Sequence, residues 1–474
     1  MADAFYLQKT QHSLLMKLLY LFLFLGFHGY SQSPHGDWYS TLRAADLPLV
    51  FHIQKNGKKT IITVDSPKQK AYDMPAEITL LKGNQIKVEM KNIGVTYEGT
   101  YYPDSISGIF QQGAIVENMT FFNQLKEPEK PRRPQNPKPP YNYKSEDVTF
   151  PHLKDSFYLA GTITIPKRQL PSPAIVLVSG SGPQNRDEEM MGHRPFWVLA
   201  DYLTNLGYAV LRYDDRGTYN SQGRFSSATT LDFASDAESA VNYLRNRNDI
   251  DPNKIVIMGH SEGGLIANIL GARIDKLSGI VSLAGTSIRG DSILDIQTRL
   301  LAQSIGEKES QMELTHEYNE AVWNAVISAS SMKDLENNLE LISKKYVKRL
   351  MKKGFIKRSE KADVIKSVEQ TILNPWMYEF IKYSPSKDIP NIMCHVLVLI
   401  GSKDIQVTSK ENIAGYKNLL PQNGKLQTIK ELKGLNHLFQ KCTTCTVSEY
   451  GQLEETFSMD AMEEIRDFLQ EIWK

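Results

Sequence analysis

One stretch limits what this chain can fold into more than any other. It is Ile255-Val256-Ile257-Met258-Gly259-His260-Ser261-Glu262-Gly263-Gly264, continued by Leu265-Ile266-Ala267-Asn268-Ile269-Leu270. The short β-branched run reads as a strand buried on both faces. The apolar run after Gly264 reads as a helix packed back on the sheet. Between them, Gly-x-Ser-x-Gly turns strand into helix so sharply that the serine is held in a strained conformation. Glycines at 259 and 263 are required because a Cβ there would strike the neighbouring strand or helix. The pattern puts the Ser261 hydroxyl at the carboxyl edge of the sheet. The Glu262 backbone N–H and the positive end of the helix aim at the same point. The pentapeptide alone is common by chance; its flanking strand and helix make it specific.

At 474 residues, two or three domains are expected. The net charge of +1 points to neither nucleic acid nor an anionic surface as a partner. Lys17, the apolar run Leu18 to Leu25 and the small residues toward Ser31 predict a signal peptide over 1–31 and export to the periplasm or medium. The run falls short of the ~20 residues that span a bilayer. Of three cysteines, Cys394 opens an apolar strand and reads as a buried small hydrophobe. Cys442 and Cys445, spaced Cys-Thr-Thr-Cys, are left open between a disulfide and free thiols. No ligand spacing suggests a metal.

Residues 34–124 alternate polar and apolar over short runs, which predicts a small antiparallel β barrel or sandwich with hairpin turns at Gly57, Gly83 and Gly108. It reads as a packing or dimerisation module, which leaves a homo-oligomer open. Residues 125–147 form a proline-rich linker, expected to run as a stiff strut. From Val148 strands and helices alternate, which predicts a mostly parallel sheet with helices on both faces. That α/β core takes 148–290 and 389–474. Between them, 291–388 is helical throughout and reads as a cap over the strands' carboxyl ends.

A serine hydroxyl needs a base within hydrogen-bond reach and a third group to hold that base. With Ser261 first, the fold predicts an acid and then a histidine. Asp404 follows the strand Leu397-Val398-Leu399-Ile400 and Gly401, and His437 lies in the loop after the next strand. The candidate triad is Ser261, Asp404 and His437. The second oxyanion donor is sought after Val178, in Ser179-Gly180-Ser181-Gly182-Pro183, with Ser181 preferred over Gly182. Arg212 to Arg216 read as a supporting ion-pair network, and His193 as a residue that ties down its own loop.

With these residues placed, the chain resembles a group of exported bacterial α/β-hydrolases, the EstD-like esterases. The resemblance covers nearly everything after Trp38. It is carried by Val64-Asp65-Ser66-Pro67, Arg133-Pro134-Gln135-Asn136-Pro137, Leu159-Ala160-Gly161-Thr162 and Ser179-Gly180-Ser181-Gly182-Pro183-Gln184 with Arg186-Asp187-Glu188. Tyr213-Asp214-Asp215-Arg216-Gly217, the serine motif, Asn374-Pro375-Trp376 and Asn436-His437-Leu438-Phe439-Gln440 complete it. It implies an α/β-hydrolase fold and hydrolysis of small carboxylic esters of short acyl chain by the triad above, with no cofactor. Serine peptidases share the resemblance, so amide cleavage is the alternative. Thr218-Tyr219-Asn220 departs from the small residues that usually follow Arg-Gly in the group.

Overall fold

The computed structural model describes residues 34–474 apart from positions 46, 58, 70, 92, 114, 125–131, 168–170, 356–357 and 359–360. The expected signal segment, 1–31, lies outside the described residues. The chain divides into two compact units between Glu129 and Lys130.

The first unit is a closed barrel of eight antiparallel strands in sequence order: β1 (Gly36–Leu42), β2 (Leu47–Asn56), β3 (Lys59–Ser66), β4 (Ala71–Lys82), β5 (Gln85–Met90), β6 (Val95–Tyr101), β7 (Ser105–Gln112) and β8 (Ile115–Phe122). Alternation sends Ile86, Val88 and Met90 of β5 inward, as a two-residue period requires. Phe51 stacks on Phe121 with ring centroids 3.9 Å apart, and Tyr97 meets both edge-on. The buried Tyr97 hydroxyl has its one proton within reach of two carbonyls, those of Ile106 at 2.7 Å and Met119 at 2.9 Å, so its burial strands no donor. Gly57 and Gly83 turn hairpins with positive φ, as expected. Gly108 does not. It sits inside β7 opposite Gly99, where a Cβ would lie 2.2 Å from the Glu98 carbonyl oxygen. The neighbouring turns fall to Gly94 and Gly113 instead.

The second unit is built on an eight-stranded sheet. Its strands are β9 (Tyr143–Pro151), β10 (Tyr158–Pro166), β11 (Ser172–Val178), β12 (Ala209–Tyr213), β13 (Ile250–His260), β14 (Gly279–Leu283), β15 (His395–Gly401) and β16 (Gln427–Leu432). They lie in the order β16-β15-β14-β13-β11-β12-β10-β9, and only β10 runs against its neighbours. This is the α/β-hydrolase sheet. Helices α1 (Pro195–Asn205) and α2 (Thr230–Arg245) precede β13, and α3 (Glu262–Arg273) follows it. Burial on both faces explains the continuous apolar runs. Ile255 and Ile257 join one core cluster while Val256 and Met258 join the other.

The linker differs from its expectation at both levels. Tyr143 to Asp147 belong to edge strand β9, paired along its length with β10. Its alternating charges, typical of an exposed edge, disguise it in sequence. Nor do the described linker residues run as a free strut. Arg133 donates to the carbonyls of Met191, Gly192, Gly451 and Leu453, and Gln135 bonds the backbone of Thr456 and Phe457.

The helical insertion consists of α4 (Gly290–Ser304), α5 (Glu309–Ser328), α6 (Met332–Lys352), α7 (Lys361–Ile372) and α8 (Pro375–Lys382). Val322, Val326, Leu335, Leu339 and Ile381 give it a small core of its own. After β15 come α9 (Ser409–Leu419), the short α10 (Val447–Tyr450) and α11 (Met459–Ile472). Cys442 and Cys445 are joined as a disulfide, and Cys394 is buried and free. Among the described residues, no helix is long and apolar enough to cross a membrane.

Candidate active site

The turn from β13 into α3 is as tight as its glycines imply. A Cβ on Gly259 would stand 1.9 Å from the Gly263 carbonyl oxygen, and one on Gly263 would stand 2.1 Å from that of Val178. Ser261 itself takes φ +54° and ψ −117°, a conformation that an L-residue adopts only under constraint. Its nitrogen donates to Leu283 O at 2.8 Å, and its carbonyl accepts from Gly264. The side chain is partly exposed in a cleft under the helical insertion.

Asp404 and His437 come together at the ends of β15 and β16. His437 Nδ1 lies 2.8 Å from Asp404 Oδ2, and both residues are buried. Asp404 Oδ1 accepts from the nitrogens of Gln406 and Val407, so the carboxylate is aimed from behind. A carboxylate oxygen only accepts, which puts the imidazole proton on Nδ1 and leaves Nε2 a free lone pair. The histidine loop is folded around Asn436, whose Oδ1 accepts from the nitrogens of Leu438 and Gln440. Gly401 lets the two loops touch. A Cβ there would stand 2.3 Å from Leu435 O, the same carbonyl that accepts from the Lys403 nitrogen.

Ser261 is not hydrogen-bonded to His437: among the described residues its hydroxyl has no hydrogen-bond partner. The link runs through the residue before it. His260 Nε2 lies 2.9 Å from His437 O, and the two rings sit 4.7 Å apart. His260 Nδ1 contacts Glu188 Oε1 at 3.0 Å, and the same oxygen accepts from the Gly180 nitrogen at 2.7 Å. The Glu188 carboxylate favours the charged imidazolium and holds the His260 pKa above the usual histidine value against the opposing effect of burial. Neither His260 nor Glu188 stands out in sequence as part of a site. Each lies in a short motif, Glu188 in Arg186-Asp187-Glu188 and His260 in the serine motif, but neither motif signals their pairing.

Ser181 and Glu262, the sequence's candidate oxyanion donors, both line the chamber that contains Ser261. The loop of Ser181 approaches Ser261 closely, since a Cβ on Gly180 would lie 3.2 Å from Ser261 Cβ. The backbone N–H groups of Ser181 and Glu262 have no acceptor among the described residues. The Glu262 carboxyl group is buried. Its Oε1 accepts from Thr230 Oγ1 and Trp376 Nε1, both at 2.6 Å. Burial raises its pKa.

The charged run after β12 is internal support. Arg212 pairs with Asp187, Arg186 with Asp214 at 2.7 Å, and Arg216 with Asp236 at 2.7 Å. His193 is buried between the Thr456 hydroxyl and the Tyr450 carbonyl, and desolvation lowers its pKa to about 4. Among the described residues, no group of three or more His, Cys, Asp and Glu side chains is placed to hold a metal ion.

A family model described as X-Pro dipeptidyl-peptidase (S15 family) matches residues 155–429, which include Ser261, Asp404 and the whole helical insertion. The chain belongs to the S15 family. Esterase EstD of Thermotoga maritima is 25% identical to this S15 member over 303 residues, which are 63% of this chain and 61% of that esterase. The uncharacterized protein YfhR of Escherichia coli (strain K12) is 40% identical over 74 residues, 16% of this chain and 24% of that protein. The chain therefore spans less than two thirds of the length of each of these relatives. Among solved structures, an esterase of Pyrococcus furiosus aligns with a TM-score of 0.44 and 13% identity, covering 70% of this chain and 92% of that one.

Proposed function

We propose that this S15 member is a serine esterase that hydrolyses short-acyl carboxylic esters through an acyl-enzyme. The observation that carries the reading is the Asp404–His437 pair at the same sheet edge as the strained Ser261, with free N–H groups beside it. His437 Nε2 takes the Ser261 hydroxyl proton as Oγ bonds the ester carbonyl carbon. The N–H groups of Glu262 and Ser181 receive the oxyanion. Collapse expels the alcohol, which leaves with the proton from His437. Water, deprotonated by His437, then releases the acid and restores Ser261. Asp404 holds the imidazole in its tautomer and stabilises its cation. The Ser261–His437 bond closes as substrate binds, a tightening common to such sites.

The chamber containing Ser261 is about 230 Å³ and carries Ile293, Leu294, Phe380 and Val407 on its walls, which suits a short acyl group. Removal of an X-Pro dipeptide is the second reading, favoured by the family description. It requires an anion to hold the substrate's terminal amine. The carboxyl group nearest Ser261 in the chain, Glu262, is instead occupied by two internal donors, Thr230 and Trp376. Turnover of p-nitrophenyl acetate against Gly-Pro-p-nitroanilide separates the two. The ester reading expects kcat/KM for the acetate to be larger by at least ~100-fold; comparable or reversed values assign the chain to peptide cleavage.

In this reading, 148–290 and 389–474 form the catalytic core and 291–388 its cap. Residues 1–31 direct export, which cell fractionation of the full chain tests.

A further inference from the structure

The Trp376 ring lines two separate cavities. The first is the chamber of about 230 Å³ that contains Ser261. The second, about 630 Å³, lacks Ser261 and is lined by Phe225, Ser226, Gln370 and Met377 among others. Ser181 and Trp376 are the two residues common to both linings. The indole therefore stands where the Ser261 chamber and the larger cavity meet.

The ring is fixed from three sides. Pro375 opens α8, and Asn374 Oδ1 accepts from the nitrogens of Trp376 and Met377, which sets the backbone. The Phe380 ring, one turn on, stacks against the indole at 5.1 Å with planes 17° apart. Trp376 Nε1 donates to Glu262 Oε1, on the residue after the nucleophile. A carboxyl group offers that acceptor oxygen in either protonation state, so the anchor survives changes of pH. Such a ring has little freedom to swing aside for a longer substrate.

We propose that Trp376 is a specificity-determining wall, held by the Glu262 carboxyl group, that limits the esterase to short acyl chains by closing the Ser261 chamber off from the larger cavity. The proposal rests on the esterase reading and names the residues that set its chain-length limit. An acyl chain of a few carbons ends against the indole, and a longer one must displace it and break the bond to Glu262. Removing the ring joins the two cavities.

The test is the kcat/KM profile over p-nitrophenyl acetate, butyrate, octanoate and decanoate for the full chain and its variants. Wild type falls by on the order of 100-fold from acetate to octanoate. Trp376→Ala raises the octanoate-to-acetate ratio by at least ~10-fold. Trp376→Phe, which keeps a ring for Phe380 but loses the N–H, shifts it less. Glu262→Gln, which keeps an acceptor oxygen, retains a ratio closer to wild type than Trp376→Ala does. Trp376→Leu replaces the alanine variant if the latter does not fold. A folded Trp376→Ala or Trp376→Leu protein with the wild-type ratio overturns the proposal. So does a wild type that takes octanoate as well as acetate, and in that case the esterase reading stands. A wild type that turns over no ester removes the esterase reading and this inference with it.

Discussion

Oε1 of Glu188 lies 3.0 Å from Nδ1 of His260, and through that contact the loop after β11 is tied to the residue before Ser261. The same oxygen holds the Gly180 nitrogen, while the far side of the His260 ring holds the His437 carbonyl. One buried pair thus spans the Gly180 loop, the Ser261 turn and the His437 loop.

Glu188→Ala leaves both the His260 imidazole and the Gly180 N–H without their acceptor in a buried site. Each stranded group costs about 1–3 kcal/mol. Chemical denaturation should show the loss, and kcat for p-nitrophenyl acetate should fall with it. Wild-type stability in this variant would mean that the network carries no load.

Asp404→Asn keeps the shape of the loop but allows the imidazole its other tautomer. A fall in kcat of as much as ~10⁴-fold is expected, with KM little changed. Steady-state kinetics at neutral pH measures it. A loss under tenfold would remove Asp404 from the proposed mechanism.

Gly401→Ala places a methyl group where the Leu435 and Asn436 carbonyl oxygens lie 2.3 and 2.8 Å from its position. The His437 loop must retreat. A displacement of an ångström costs on the order of 100-fold in kcat/KM. The activity loss should exceed what the change in thermal midpoint explains.

Acid sensitivity follows from His193. Its folded pKa, about 4, lies below the ordinary value near 6.5, so the unfolded chain binds the extra proton between them. The stabilisation is complete above pH 6.5 and is lost as pH falls toward 4, on the order of 3 kcal/mol at most. His193→Asn should flatten that limb of a denaturation-midpoint curve between pH 7 and 4. An unchanged slope would place the acid-labile group elsewhere.

Much of this architecture is readable from local pattern, and the exceptions have physical causes. The sheet of the second unit follows from apolar runs that are buried on both faces. That residues 404 and 437 meet follows from chain order on such a sheet. Strand β9 is hidden because an edge strand carries charges such as Lys144, Glu146 and Asp147 that resemble a linker. Gly108 looks like a turn residue because sequence does not distinguish a glycine freed for positive φ from one needed for close strand approach. The contacts that organise the site are non-local. Glu188 and His260 are 72 residues apart, and Glu262 and Trp376 are 114 apart. No periodicity marks such pairs, and only their short motifs draw attention to them.

The central claim is that the Ser261 hydroxyl is the atom acylated during turnover. Its most direct test is kcat/KM for p-nitrophenyl acetate with Ser261→Ala beside wild type, with folding checked by circular dichroism. The variant is expected to lose at least ~10⁴-fold while retaining its fold. A folded Ser261→Ala protein that keeps activity within tenfold of wild type would contradict the account.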